Sequence, residues 1–262
     1  MKLMVGTSGY SYEDWREVFY PPGLPKGKML DFYAQHFNCV EINSSYYKIP
    51  HPEIFYRMSE KTAAGFEFVV KVHQSITHVR TRDESSLGQI LEAVQPLIEV
   101  GKFSGFLAQF PYSFKNTMEN RDYLSWIKEK THEHPLFVEF RNWSWVYPGL
   151  EQFMKDNQLN YVNVDEPRLR GLLKPQEIVS GKLAYIRFHG RNSQDWWHGT
   201  NQTRYNYLYK QQELDEWLIG LARILKKAYK TYIFFNNHPQ GKAIQNAKMM
   251  IESIKAYFPD LK

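Results

Sequence analysis

YIRFHGRN, Tyr185 to Asn192, begins like a buried β-strand and then sets Arg187 and His189 where such a strand would carry Val or Ile. Side chains alternate along a strand, so Tyr185, Arg187 and His189 share one face while Ile186 and Phe188 share the other. Ionisable groups are costly to bury in an apolar core, so the two faces need different surroundings. A closed parallel barrel supplies them, because alternate residues face the lumen and the outer helix layer.

Outward from this stretch, short β-branched and aromatic runs recur along the chain. They are LMVGTS (3–8), CVEINS (39–44), EFVVKV (67–72), FSGFLAQF (103–110), LFVEFR (136–141), YVNVD (161–165), LAYIRFH (183–189) and TYIFFNN (231–237). Between most of them the apolar residues fall at helical spacing: Met29, Phe32, Tyr33 and Phe37; Leu87, Leu91, Val94 and Ile98; Leu214, Trp217, Leu218, Leu221 and Leu225; Ile244, Ala247, Ile251 and Ile254. Pro96 implies a kink or break in the second of these segments. Residues 166–182 pattern poorly and imply a degenerate sixth crossover. Eight strand signals alternating with helices favour an α/β fold, a single (β/α)8 TIM barrel spanning residues 1–262, over an open doubly wound sheet.

A chain of 262 residues suits one such barrel, and a 16% aromatic content excludes a disordered polymer. The formal charge of +5 tilts it mildly toward anionic partners. Cys39 stands alone and cannot form an intrachain disulfide, and no apolar run reaches signal-peptide or membrane length. A cytoplasmic, soluble protein with no membrane partner is therefore expected, and no protein partner is inferable.

Strand parity puts Glu41, Asn43, Lys71, Gln109, Glu139, Arg141, Asn163, Asp165, Arg187 and His189 on the lumen side, all toward the C-terminal strand ends. Barrel enzymes carry their chemistry at that end. The alternative is a paired network that merely closes the barrel.

The segments GTSGYSYEDW (6–15), VEINSSYY (40–47), VEFRNWSW (138–145), YIRFHGR (185–191) and FFNNHPQGKAIQNA (234–247), with ITH (76–78) and LAQFPYSF (107–114), resemble the signature segments of the YecE-like family, domain of unknown function 72. The resemblance covers nearly the whole chain and implies a barrel without naming a reaction. Its motif positions fall on Glu41, Asn43, Tyr47, Lys71, His78, Gln109, Glu139, Arg141, Trp145, Asp165, Arg187, His189, Arg191, Asn236 and Asn237.

The leading functional reading is an enzyme acting on a phosphate-bearing substrate, by phosphodiester hydrolysis in DNA, RNA or a nucleotide. Arg141, Arg187 and Lys71 bind the anion, His189 transfers a proton, and Glu41, Glu139 and Asp165 position the cations or activate water. Asn43, Asn236 and Asn237 supply neutral hydrogen bonds, while Tyr47, His78, Gln109, Trp145, Arg191 and Tyr205 complete the binding set. Rings in the loops, Trp196 and Trp197 among them, offer stacking surfaces, and the long segment 191–207 reads as a lid. The alternatives are a sugar or sugar-phosphate isomerase or lyase, and a non-catalytic protein for single-stranded nucleic acid. No cofactor is expected. A divalent metal on Glu41, Glu139, Asp165, His189 and His238 is the lesser option, because Lys71, Arg141 and Arg187 are interleaved with those ligands. A Schiff base on Lys71 is disfavoured by the charged neighbours the parity gives it.

Overall fold

Each of the eight apolar runs forms a strand in the computed structural model, which describes residues 2–259. Residues 1 and 260–262 of the expected domain lie outside the described residues. The strands are β1 (Lys2–Thr7), β2 (Cys39–Ile42), β3 (Glu67–Lys71), β4 (Phe103–Gln109), β5 (Leu136–Glu139), β6 (Asn160–Asp165), β7 (Leu183–Phe188) and β8 (Lys230–Phe235). All pair in parallel in the order β1-β8-β7-β6-β5-β4-β3-β2, and a bridge between Ser8 and Glu41 closes the ring. At that seam a Cβ on Gly6 would lie 2.4 Å from the Cys39 carbonyl oxygen, so only glycine lets the two strands approach.

The helices are α1 (Met29–Tyr33), α2 (Pro52–Glu60), α3 (Glu84–Glu99), α4 (Met118–Lys130), α5 (Leu150–Asp156), α6 (Asn201–Arg204), α7 (Gln211–Lys227) and α8 (Lys242–Tyr257), and all but the single-turn α6 form the outer layer. No helix connects β6 to β7, as the poor patterning of residues 166–182 implies. Of the kink or break expected at Pro96, the break does not occur, since α3 runs through it. Pro96 sits in the last turn of α3, where the missing N–H frees a single carbonyl while buried Leu87, Ile90, Val94 and Leu97 hold the helix to the barrel. Among the described residues no helix is long and apolar enough to cross a membrane.

Register settles which side chains enter the lumen. Gln109 lies beside Glu139 and Leu107 beside Phe137, so these point inward with Lys71, Glu41 and Arg187, as parity predicts. β6 is the exception. Val164 is in register with Arg187 and Asp165 with Phe188, so Asn163 and Asp165 face the helix layer. The reason is a waiting set of donors: the Trp217 indole of α7 donates to Asp165 at 2.8 Å, the Tyr209 hydroxyl at 2.7 Å, and Arg191 at 2.7 and 2.9 Å. The Asn163 amide accepts from the Ile178 N–H and donates to the Ile178 carbonyl, both at 2.9 Å, which pins the helix-less crossover against the barrel.

The lumen is layered. At the N-terminal end the Glu67 carboxylate accepts hydrogen bonds from Lys2, Ser104, Lys230 and Tyr232. Above it Phe137, Tyr185, Tyr232 and Phe234 pack as an aromatic layer, with Phe137 and Tyr185 centroids 4.7 Å apart. The charged residues of the C-terminal end rest on these rings.

Candidate active site at the C-terminal mouth

β7 places Arg187 at the centre of the charged layer. Its guanidinium donates to Glu139 at 2.7 Å and to Glu41 at 2.6 Å, and the Tyr185 hydroxyl one turn of the pleat below donates to the other Glu41 oxygen at 2.6 Å. Arg141, just past β5, donates to Glu166 at 2.7 Å and brings a second nitrogen within 2.7 Å of Glu139 Oε1. That same oxygen lies 3.1 Å from His189 Nε2, yet no well-aligned hydrogen bond reaches it from either neighbour. All seven of these ionisable groups are buried. Asn236 stands with its amide nitrogen 3.1 Å from His189 Nδ1, and a guanidinium nitrogen of Arg141 lies 3.1 Å from Nε2, so both ring nitrogens face donors.

The charge states diverge from solution values for identifiable reasons. Burial works against the Glu139 charge, but the Arg141 and Arg187 guanidiniums outweigh it and hold the carboxyl well below the usual range. His189 is pushed down to about 3 by burial and then by Arg141, so it is neutral throughout the physiological range. Glu166 is pushed up to about 7 by burial, with Arg141 pulling the other way. Lys71 is pushed down to about 7 by burial and then by Arg187. Its ammonium position donates to Gln109 Oε1 at 2.9 Å and lies 4.4 Å from the Tyr46 ring centroid. His78 is pushed down to about 4 by burial and then by Lys71.

Above this layer opens a cavity of about 590 Å³. The structure brings Asn43, Tyr47, Lys71, His78, Gln109, Arg141, Arg187, Tyr205, Asn236 and His238 together on its lining, with Glu41, Glu139 and His189 beneath them. Four expected site residues lie elsewhere. Asp165 faces the helix layer, and Arg191 forks onto it while also pairing with Glu213 and Glu216. Trp145 stacks on Phe140 at 4.0 Å and donates to the Phe114 carbonyl, inside the outer core. Asn237 donates to the Tyr207 carbonyl and to Asn246, both at 2.8 Å, one residue out of phase with Asn236.

The sequence reading missed Glu166, Gln74, Leu172 and Asn201. Glu166 follows Asp165 directly, so strand alternation was the available signal for it; Leu172 sits in a loop, Gln74 caps the π-type turn and Asn201 opens the single-turn α6, segments too short to show a period. Of the expected metal donors, Glu139 and His189 meet and Glu41 joins them across Arg187, whereas Asp165 points away. Among the described residues no group of three or more His, Cys, Asp or Glu side chains is arranged to hold a metal ion.

The segment 191–207 folds over the mouth. Asn201 of α6 donates to the Tyr47 hydroxyl at 3.2 Å, Trp197 meets Tyr112 edge-on with centroids 5.0 Å apart, and Trp196 lies 5.3 Å from the Arg141 guanidinium. Gly190, with φ 89°, makes the turn into this segment; a Cβ there would strike Tyr207 at 2.7 Å.

Known proteins share this arrangement of the chain. The family model described as "Protein of unknown function DUF72" matches residues 4–261. UPF0759 protein YunF of Bacillus subtilis is 30% identical over 276 residues, covering 99% of this chain and 97% of that protein. A solved DUF72 family protein from Thermotoga maritima is 36% identical with a TM-score of 0.91, covering 97% of this chain and 100% of that one. A second, from Enterococcus faecalis, is 30% identical with a TM-score of 0.84, covering 97% and 98%. With the model matched nearly end to end and relatives aligned over their full lengths, this chain belongs to the DUF72 family.

Proposed function

We propose that this chain is an enzyme acting on a small phosphate-bearing carbonyl compound, of the sugar-phosphate class, by isomerisation or carbon–carbon cleavage. One observation carries the anionic part of the reading: the cavity lining holds Lys71, Arg141, Arg187 and Arg204 and no Asp or Glu. Below it the charges of Glu41 and Glu139 offset those of Arg141 and Arg187. Arg204 has no carboxylate partner within 4.0 Å among the described residues, so an incoming phosphate would be its counter-charge. A cavity of about 590 Å³ is of the size that encloses a small ligand rather than a polymer.

The reaction class follows from which groups are tuned to neutral pH. The roles first expected of Glu139 and His189 need a base that can take a proton and an imidazole that can give one, yet Glu139 is held ionised and His189 neutral across the range near pH 7. Lys71 is tuned to about 7 and lines the cavity, which suits carbonyl chemistry better than water activation.

Turnover of a panel of aldose and ketose phosphates and of mono- and dinucleotides tests this. Sugar-phosphate turnover that disappears in Lys71→Met is the expected result. Nucleotides belong in the panel because Tyr46, Tyr47, Tyr112, Trp196 and Trp197 offer a stacking wall to a base as well as to a sugar. Phosphodiester turnover indifferent to Lys71→Met would replace this reading with hydrolysis.

A further inference from the structure

We infer that Lys71 is a covalent catalyst, forming an imine with the carbonyl carbon of the substrate. The inference rests on the anionic-substrate reading above and adds the chemistry of its first step. It starts from the hydrogen bonding of the lysine amine. Gln109 is locked in one orientation, because its amide nitrogen donates to the Phe110 carbonyl at 2.8 Å and its oxygen accepts from Lys71 at 2.9 Å. One N–H of the neutral amine is thereby used. Gln109 presents no donor to the amine, and no other hydrogen bond to Nζ occurs among the described residues. The lone pair is therefore not engaged by any protein donor, and Lys71 lines the cavity.

The surroundings keep it free. Burial acts most strongly against protonation of the amine and Arg187 next, with Glu139 and Glu41 pulling the other way, and the Tyr46 face covers one flank at 4.4 Å. His78, on the single π-type turn Ser75–Val79, is itself held neutral by burial and by Lys71. The result is an amine that is substantially unprotonated near pH 7 at the end of a barrel strand, in the part of the fold where reacting groups gather.

The step balances without a further reactant. The nitrogen lone pair attacks the carbonyl carbon, and the C=O π pair moves to oxygen, which takes up a proton. The nitrogen then loses its protons as the hydroxyl leaves as water, so that R₂C=O and H₂N–Lys71 become R₂C=N–Lys71 and H₂O. The iminium form withdraws electrons from the neighbouring carbon, which eases both isomerisation and cleavage.

The test is borohydride reduction of the full chain with glyceraldehyde 3-phosphate at pH 7, followed by peptide mass analysis. An adduct at Lys71 forming on the order of 10²-fold faster than at exposed lysines is expected, since an ordinary lysine is almost wholly protonated there. The site-specific adduct is absent in Lys71→Arg and Lys71→Met, whose thermal midpoints verify folding. Labelling spread over surface lysines with Lys71 unmodified overturns the inference. Calorimetric binding of ribose 5-phosphate then separates the two claims: binding without the adduct leaves the anionic-substrate reading standing and removes the imine, whereas neither binding nor adduct removes both.

Discussion

The two ends of the barrel lumen are both ionic, and they are built on opposite principles. At the N-terminal end one carboxylate, Glu67, takes donors from Lys2, Ser104, Lys230 and Tyr232. Burial raises its proton affinity, but these donors outweigh the penalty and bring it down to about 2. At the C-terminal end Glu41, Glu139 and Glu166 meet Arg141 and Arg187, and satisfaction is incomplete: Glu139 Oε1, Arg187 Nε and Asn43 Oδ1 are buried without hydrogen-bond partners. Lys71 and Glu166 are left at about 7. A saturated cluster is a plug. An unsaturated one beside a cavity holds free energy that a ligand can release.

The contrast can be broken most forcefully at Glu139. Glu139→Gln removes the carboxylate that two buried guanidiniums share, leaving Arg187 to Glu41 and Arg141 to Glu166 alone, and is expected to lower unfolding free energy by about 3–5 kcal/mol in urea titrations. A loss under about 1 kcal/mol would mean that Arg141 and Arg187 re-pair freely and the upper network is no more strained than the lower.

Glu67→Gln is the matching change below, expected to remove on the order of 2–3 kcal/mol with no effect on ligand binding. The sign follows from its lowered pKa. Its contribution is full above the unfolded value near 4.5 and fades as pH falls toward about 2, so the variant's acid limb of stability should be shallower than the parent's.

Lys71 should behave oppositely. A lysine lowered to about 7 destabilises the fold fully below pH 7 and not at all above its unfolded value, so the penalty lifts as pH rises between the two. Lys71→Met is expected to abolish turnover while stabilising the protein by roughly 1–2 kcal/mol at pH 6, a gain that vanishes above about pH 10. Destabilisation at pH 6 would place Lys71 in the structural network instead.

The smallest effect sharpens the comparison at its rim. Arg204→Ala should raise KM for a phosphate-bearing substrate about 10-fold with kcat nearly unchanged, and shift stability by less than about 0.5 kcal/mol.

Much of this architecture was legible because parallel strands are buried on both faces and write themselves as β-branched and aromatic runs. The helix-less crossover was legible too, since residues 166–182 carry no helical period. What failed was facing, and it failed at adjacent polar pairs. Asp165 and Glu166 cannot share a side of β6, nor Asn236 and Asn237 a side of the turn after β8; in each pair one enters the lumen region and the other the helix layer. The rule that polar residues face the lumen gave way at Asp165 because its donors come from Arg191, Tyr209 and Trp217, which are distant in sequence. Trp145 was misplaced for a related reason: its partners Phe114 and Phe140 are brought together only by the closed barrel. The tuning of Lys71 was hidden as well, since it depends on Arg187, more than a hundred residues away.

The most direct test of an incomplete upper cluster is the titration of Lys71 itself, read as the pH dependence of its acylation rate by peptide mass analysis with and without inorganic phosphate. The structure predicts a midpoint near 7 that moves upward when phosphate binds beside Arg204 in the same cavity. A midpoint above 10, like that of an exposed lysine and unmoved by phosphate, would contradict it.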